Sequence, residues 1–197
     1  MHAVLLMRAA WRTVTFLALA TPAIAQCGLE WRAGSSAPGL AGAVRALAHA
    51  PNGDLVAAGT FRVAVDVVAE RIARFDGTSW RPFGAGIDGT VAALLVLPNG
   101  DVVGAGSFTS AGNAPAANIA RWNGLDWFPI GSGFDGPVRE LARLPNGRLV
   151  ALGDFDNAGP VPARRVAVFD GTAWSGLGAG PAMPTPEQLA VLPNGNI

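Results

Sequence analysis

The sequence predicts an all-β protein built from one repeated, four-stranded antiparallel unit, and three observations support this fold class. The phrase "LPNGDVVGAGSF" at residues 97–108 recurs as "APNGDLVAAGTF" and "LPNGRLVALGDF". Trp80, Trp127 and Trp174 are each 47 positions apart. Gly and Pro lie within or beside every segment, which disfavours helices. A period of this length is typical of a solenoid, a propeller or another repeat array.

One unit contains four short segments with the residue preferences of β-strands. In the unit that begins at Val91 they are "VAALLVL", "DVVGAGSF", "NIARW" and "DWFPIG". Asn123 and Gly124 predict a primed hairpin turn between the last two, because both residues tolerate positive φ. We therefore expect strands at 44–50, 55–61, 71–75 and 80–83, recurring at each 47-residue step.

A helix is the alternative for the first segment of the unit. Val91, Leu94 and Leu97 have helical spacing. The segment between Gly89 and Pro98 is too short for a helix, however, and its apolar run is typical of a strand buried on both faces. We therefore predict a strand here.

The repeat resembles that of a family of secreted bacterial β-propeller proteins, whose unit reads approximately W-x-x-L-G-x-G-x-x-G-x-V-x-A-L, P-N-G-D-L-x-V-G-G-x-F, A-G and I-A-x-W-D-G. One unit here carries this motif as Trp80, Gly84, Gly86, Gly89, Val91, Leu94, Pro98, Asn99, Gly100, Asp101, Gly106, Phe108, Ala111, Gly112, Ile119, Ala120, Trp122, Asn123 and Gly124. The repeat is also kelch-like, although Ala58-Gly59, Ala105-Gly106 and Leu152-Gly153 replace the kelch Gly-Gly pair. The resemblance covers residues 31–197 and implies that each unit is one propeller blade; it implies nothing about activity.

The repeat also sets the expected domain boundaries. We assign three complete blades to 44–90, 91–137 and 138–184, a strand of a partial blade to 26–43, and a truncated blade to 185–197. Propellers typically have four or more blades. We therefore expect a fragment of a longer propeller, since an open blade edge leaves backbone groups unpaired. The alternative is closure by self-association.

Residues 1–25 have the pattern of a secretory signal peptide. Arg8 and Arg12 precede the apolar run "VTFLALA", and "AIA" at 23–25 is a small-x-small cleavage site. We expect a secreted protein, at an extracellular, periplasmic or cell-surface location, with no membrane span after cleavage. Cys27 is the only cysteine, and Gln26 before it disfavours a lipoprotein signal. An internal disulfide is therefore excluded, while an intermolecular one stays an alternative.

The composition excludes several classes of function. The formal net charge is zero, which gives no reason to expect nucleic acid as a partner. The chain has no Tyr, which excludes the Tyr nucleophile of sialidases and the Tyr-Cys copper site of galactose-oxidase propellers. After the signal, His49 is the only histidine. Because a His-based metal site needs further ligands, we predict no metal site and no cofactor.

Several residue types that often carry chemistry are interpreted as structural. Asp154, Asp156 and Asn157 are similar to the start of a calcium loop, but Ala158 occupies the third acidic position, so we favour a turn over calcium. The repeated aromatic residues are expected to fill space between blades, with carbohydrate stacking as the alternative. They are Trp80, Trp127 and Trp174 on the fourth strands and Phe75, Trp122 and Phe169 on the third strands.

Two further repeated features complete the structural predictions. We interpret Gly59, Gly106 and Gly153 as points where neighbouring blades approach closely. Asp88 and Asp135 are interpreted as turn residues that bond their own backbone.

The lengths of the connections predict which face binds. Connections one-two and three-four are tight turns, whereas two-three and four-one are long and lie together on the opposite face. Because loops on a rigid scaffold carry function, we expect a binding face there, with plain solvated loops as the alternative. Its candidate residues are Arg62, Asp66, Ser110, Asn113, Asn118, Asp156, Asn157, Arg164 and Arg165.

Two classes of function remain compatible with the sequence. The first is a non-enzymatic binding or structural module whose partner is a protein or a glycan. The alternative is a carbohydrate-active hydrolase or lyase that uses carboxylates on the long-loop face. We expect the first, with no catalytic residues, because no nucleophile elbow or His-based catalytic group is present.

Overall fold

The computed structural model describes residues 39–177 and residue 189, and all regular secondary structure in this part of the chain is β. In chain order the strands are β1 (Val44–His49), β2 (Leu55–Gly59), β3 (Val63–Ala64), β4 (Val67–Val68), β5 (Ile72–Phe75), β6 (Trp80–Pro82), β7 (Thr90–Val96), β8 (Val102–Ser107), β9 (Ser110–Ala111), β10 (Ala114–Pro115), β11 (Ile119–Trp122), β12 (Trp127–Pro129), β13 (Val138–Arg143), β14 (Leu149–Gly153), β15 (Asn157–Ala158), β16 (Val161–Pro162), β17 (Val166–Phe169) and β18 (Trp174–Gly176).

Three antiparallel sheets form blades in the order β1-β2-β5-β6 (blade 1), β7-β8-β11-β12 (blade 2) and β13-β14-β17-β18 (blade 3). The prediction of an all-β fold with three four-stranded blades is therefore confirmed. The first strands of neighbouring blades contact each other, β1 with β7 and β7 with β13, as the innermost strands of a propeller do.

The strand predicted at the start of the second unit is confirmed as β7, and its alternating side chains point toward different neighbours. Leu94 and Val96 pack into the cluster shared with blade 1, whereas Leu95 and Leu97 pack into the cluster shared with blade 3. All four side chains are only part-buried. The predicted contacts on both faces of the strand are therefore confirmed, but the predicted full burial is not.

The hydrophobic core lies between the blades rather than within them. Val56 and Phe83 of the first repeat unit pack with Val91, Phe108 and Trp127 of the second. The same arrangement recurs between the second and third units. Side chains from alternate positions of one strand thus enter two different cores, as the two-residue period of a strand requires.

The repeated Trp residues have the predicted structural role at the two described blade boundaries. Trp127 and Trp174 are 4% and 5% exposed. The indole Nε1 of Trp127 donates to the carbonyl oxygen of Phe83 at 3.0 Å, and that of Trp174 donates to Ile130 at 2.9 Å. Trp80 is part-buried.

The glycines near the end of each second strand face a bulge in their own blade, so the prediction of close contact between blades is wrong. Gly59, Gly106 and Gly153 pair with the repeat-equivalent residues Val44, Val91 and Val138 near the start of the first strand, and the pairing then skips one residue of that strand. A Cβ on Gly106 would collide with the backbone oxygen of Thr90. Glycine is required because the bulge brings two backbones of one sheet together.

The turn between the third and fourth strands is not the predicted primed hairpin. Trp122 pairs with Trp127, which leaves a four-residue loop, and Gly124 but not Asn123 has positive φ. Asn123 Oδ1 instead accepts bonds from the backbone N–H groups of Leu125 and Asp126, both at 2.9 Å. The side chain therefore caps the turn as an Asx motif.

The long connections between second and third strands contain small β-hairpins, so they are not plain loops. These are β3–β4, β9–β10 and β15–β16. The linker before each blade adds an isolated bridge to its hairpin, through Leu40, Ile87 and Phe134. The first residue of each hairpin turn has positive φ, and it is Gly112 or Gly159 in two units but Val65 in the first.

Several predictions concern residues outside the described ones. These are the signal peptide at 1–25, Cys27, the partial-blade segment 26–38, and most of 178–197. Leu189 is described: it packs with Leu144, Val150 and Val168 on blade 3. In the described part of the chain, no helix is long and apolar enough to cross a membrane.

Candidate binding site

The predicted binding residues lie on the hairpins and their flanks. Ser110 and Asn157 are the first residues of β9 and β15, and Asn113 lies in a hairpin turn. Asp66 lies in the turn of the first hairpin and is exposed. These positions share one edge of the blades, as the connection lengths predict.

Asp88 and Asp135 bond across to these hairpins, so the prediction that they bond their own turns is wrong. Asp88 Oδ1 accepts from the backbone N–H groups of Thr109 at 3.0 Å and Ser110 at 2.9 Å, and its Oδ2 accepts from the Thr109 hydroxyl at 2.6 Å. Burial alone would raise the pKa of Asp88, but these hydrogen bonds outweigh it and lower the pKa to about 2. Each carboxylate therefore holds the start of a hairpin against the linker before the blade.

The third blade repeats this arrangement with an amide in place of the hydroxyl. Asp135 Oδ1 accepts from the backbone N–H groups of Asp156 and Asn157, and its Oδ2 accepts from Asn157 Nδ2 at 2.7 Å. Burial would raise the pKa of Asp135, yet the bonds from Asn157 and Asp156 hold it below its usual value. The carbonyl oxygen of Asp156 also accepts from the backbone N–H of Arg164 at 3.0 Å. Three of the predicted binding residues thus meet here, Asn157 through its side chain and backbone and Asp156 and Arg164 through their backbones.

Asn118 joins its own blade to the linker before blade 3. Its Oδ1 accepts from the backbone N–H of Phe108 at 3.1 Å, and its Nδ2 donates to the carbonyl oxygen of Phe134 at 2.9 Å. Arg71 is the equivalent residue of the first unit, and its Nη1 donates to Ile87 O at 3.0 Å. Both residues have positive φ. The corresponding residue of the third unit, Arg165, also has positive φ, and its backbone N–H bonds Phe155 O at 2.8 Å.

The remaining charged candidate belongs to an ion-pair group on the first hairpin. Arg62 Nε lies 3.6 Å from Glu70 Oε2, and Arg71 Nη1 lies 2.9 Å from the same oxygen. Glu70 is thus shared by two guanidinium groups. A pocket of about 420 Å³ on this face is lined by Asp88, Thr109 and Asn118, whose bonds are described above, together with other residues of the second unit.

The opposite, tight-turn face contains two clefts that the sequence analysis did not identify. The first cleft, of about 300 Å³, lies between blades 1 and 2, and the second, of about 540 Å³, lies between blades 2 and 3. Most residues that line the first cleft are the repeat equivalents of those that line the second. The equivalent pairs include Asn52 and Asn99, Val56 and Val103, Arg74 and Arg121, and Trp122 and Phe169.

Both clefts place an Arg next to an aromatic side chain, and in the first cleft the Asp that pairs with the Arg also belongs to the lining. Arg74 Nη1 lies 3.8 Å from Asp54 Oδ2 in the first cleft. Arg121 Nε, whose side chain lines the second cleft, lies 3.7 Å from Asp101 Oδ2. The aromatic wall comes from the next blade and is Trp122 in the first cleft and Phe169 in the second, both part-buried.

The sequence contains a signal for these clefts. Asp follows the Pro-Asn-Gly turn and Arg follows Ile-Ala twenty positions later, at Asp54 and Arg74 and again at Asp101 and Arg121. The third unit has Arg148 and Val168 at these positions.

The comparisons with known proteins identify no relative. No protein-family profile, curated protein or solved structure matches the chain. Among the residues that the structure describes, no three His, Cys, Asp or Glu side chains are grouped to hold a metal ion. His49 is exposed on β1.

Proposed function

We propose that this chain is an exported β-propeller repeat module that binds a protein or a glycan without catalysing a reaction. The repeat motif supports membership of the secreted bacterial, kelch-like propeller repeats, and the charged n-region and apolar run of residues 1–25 support export. The three blades support the propeller part of the proposal.

The non-enzymatic part of the proposal rests on the pKa values of the carboxyl groups. A carboxyl that acts as general acid needs a raised pKa. Among the described residues, every carboxyl with a resolved shift has a lowered pKa, and the cause in each case is hydrogen bonding that holds a loop or turn. Asp88 and Asp135 on the long-loop face are held in this way. The alternative, a hydrolase or lyase that uses carboxylates on that face, receives no support from this chemistry.

The binding part rests on the inter-blade clefts. Their lining is rigid, because it consists of strand residues and tight turns that also contribute to the core. Arg74 and Arg121 have about half-exposed side chains, at 46% and 48%. These donors are therefore accessible on a surface that the fold already holds in place, which lowers the entropic cost of binding.

The test compares binding with product formation for the purified full chain. Immobilised polysaccharides and extracellular proteins serve as ligands, and the same polysaccharides in solution are assayed for new reducing ends and unsaturated sugars. We expect saturable binding with no product. Release of products that D66N or D156N abolishes would instead establish the carboxylate enzyme.

A further inference from the structure

We propose that the first and second clefts are a repeated pair of subsites for a neutral glycan. This inference rests on the proposed binding function and specifies the ligand class and its location. The site lies on the tight-turn face, opposite the hairpins that the sequence predicts as the binding surface. Volumes of about 300 and 540 Å³ fall in the range of small-molecule sites, about 300–1,000 Å³.

The charges in the first cleft favour a neutral ligand. In the first cleft the guanidinium of Arg74 is offset by the carboxylate of Asp54, so neither an anion nor a cation meets an excess of opposite charge. At the second cleft Arg121 pairs with Asp101, whose carboxylate lies outside the lining, and the lining also contains Arg143. A ligand that both donates and accepts hydrogen bonds matches such a pair better than a purely anionic or cationic one.

The distances within the pairs leave capacity for a ligand. Separations of 3.7 and 3.8 Å exceed the usual length of an N–H···O bond, so the guanidinium and carboxylate are not locked to each other. Asp54 Oδ2 already accepts from Asn52 Nδ2 at 2.9 Å, and a carboxylate has the capacity to accept further hydrogen bonds. One hydroxyl of a vicinal diol can donate to the carboxylate while the other accepts from the guanidinium.

The remaining walls match the apolar face of a sugar ring. Trp122 forms the aromatic side of the first cleft and Phe169 that of the second, and both are part-buried. Polar groups next to an aromatic surface are the combination that fixes the orientation of a ligand in such sites. A neutral sugar presents hydroxyls at its rim and C–H groups on its faces, so it meets both surfaces at once.

Repetition favours a polymer over a free monosaccharide. The two clefts occur at successive blade boundaries of one structural unit, so adjacent sugars or branches of one glycan can engage both. Because the third unit has Arg148 and Val168 in place of the Asp and Arg, the same subsite is not expected downstream of blade 3.

The experiment uses the full chain with neutral oligosaccharides of glucose, mannose, galactose and xylose, and with an oligogalacturonate as the anionic comparison. Binding is measured by calorimetry. We expect at least one neutral oligosaccharide to bind, and R74Q/R121Q to weaken it about 10- to 100-fold, as expected for loss of charged hydrogen bonds. R81Q is the matched control, because Arg81 pairs with Asp76 at 3.1 Å outside the lining of both clefts, and we expect no change.

The isosteric variant D54N/D101N gives a second readout, and thermal unfolding shows whether each variant is folded. Binding of only the oligogalacturonate, binding of none of the oligosaccharides, or unchanged affinity in both folded double variants would overturn the inference. If the chain binds a protein but no glycan, this inference fails and the proposed binding function stands. If the chain releases products from a glycan, the proposed function itself fails.

Discussion

The indole nitrogen of Trp127 reaches out of its own blade and donates to the backbone oxygen of Phe83, 44 residues earlier and 3.0 Å away. Trp174 makes the same bond to Ile130 at 2.9 Å. The residue that marks the repeat in the sequence is thus the one that joins consecutive blades. Its ring fills the space between blades and its single polar atom satisfies a carbonyl oxygen there, as buried Trp residues usually require.

We expect W127A to lower the free energy of unfolding by about 3–5 kcal/mol, because it removes a large buried side chain at the blade boundary. W127F keeps most of the volume but loses the donor, and we expect a smaller loss of about 1–3 kcal/mol from the carbonyl left unpaired. F128A is the control, since Phe128 is 43% exposed on the same strand. Urea unfolding measures all three, and equal losses for W127A and F128A would contradict the packing role.

The bulge interpretation predicts different effects for two glycines of one strand. A Cβ at Gly106 collides with the Thr90 backbone, whereas a Cβ at Gly104 meets side chains only at ordinary contact distances of 3.4–3.8 Å. We expect G106A to destabilise by about 1–3 kcal/mol or more and G104A to be near neutral. Thermal unfolding of the pair is the measurement. Similar stability for both variants would show that the bulge does not demand glycine.

Val65 provides a stabilising prediction. It has φ of 59° at a hairpin position that the other two units fill with Gly112 and Gly159. A β-branched residue at positive φ is strained by about 1–3 kcal/mol, and the greater flexibility of glycine in the unfolded chain offsets part of this. We expect V65G to stabilise by about 1 kcal/mol. G112V makes the reverse change and should destabilise; chemical denaturation that ranks the two variants the other way would contradict the strain argument.

The lowered pKa of Asp88 predicts acid sensitivity. Its folded pKa of about 2 lies below the value of about 3.9 for an unfolded Asp, so the folded state favours the ionised form. The resulting stability is present above about pH 4 and is lost as the pH falls toward 2. We expect D88N to flatten the dependence of unfolding free energy on pH in this window. Asp135 and Asp170 also have lowered pKa values, so part of the dependence should remain. An unchanged dependence on pH would argue against the role of Asp88 in holding the hairpin.

The fold could be predicted well because the same four-strand pattern occurs three times in the sequence. The positions of Trp127, Phe108 and Val91 recur in every unit, and a strict period with Gly and Pro throughout leaves few options besides short strands. The roles of Gly106 and Asp88 were harder to predict. Gly106 faces the Thr90 backbone because of strand pairing, and Asp88 meets Thr109 because of a hairpin. Neither relationship is apparent from local spacing.

The binding surface was predicted on the long-loop edge, and the structure also shows two clefts with largely equivalent linings on the opposite edge. Long connections usually carry function, but here Ser110 and Asn157 bond Asp88 and Asp135. The clefts form only when one blade packs on the next, so their walls are far apart in the sequence. Arg74 and Trp122, for example, come from different units.

The most direct measurement is a titration of the full chain with a neutral oligosaccharide, followed by NMR of side-chain N–H signals. Asn52 and Asn99 report on the clefts, and Asn113 and Asn157 report on the hairpins with the same chemical group. We predict that the signals of Asn52, Asn99 and the Trp122 indole shift with saturation while those of Asn113 and Asn157 stay in place. Shifts confined to Asn113 and Asn157 would contradict the account and return the binding surface to the long-loop face.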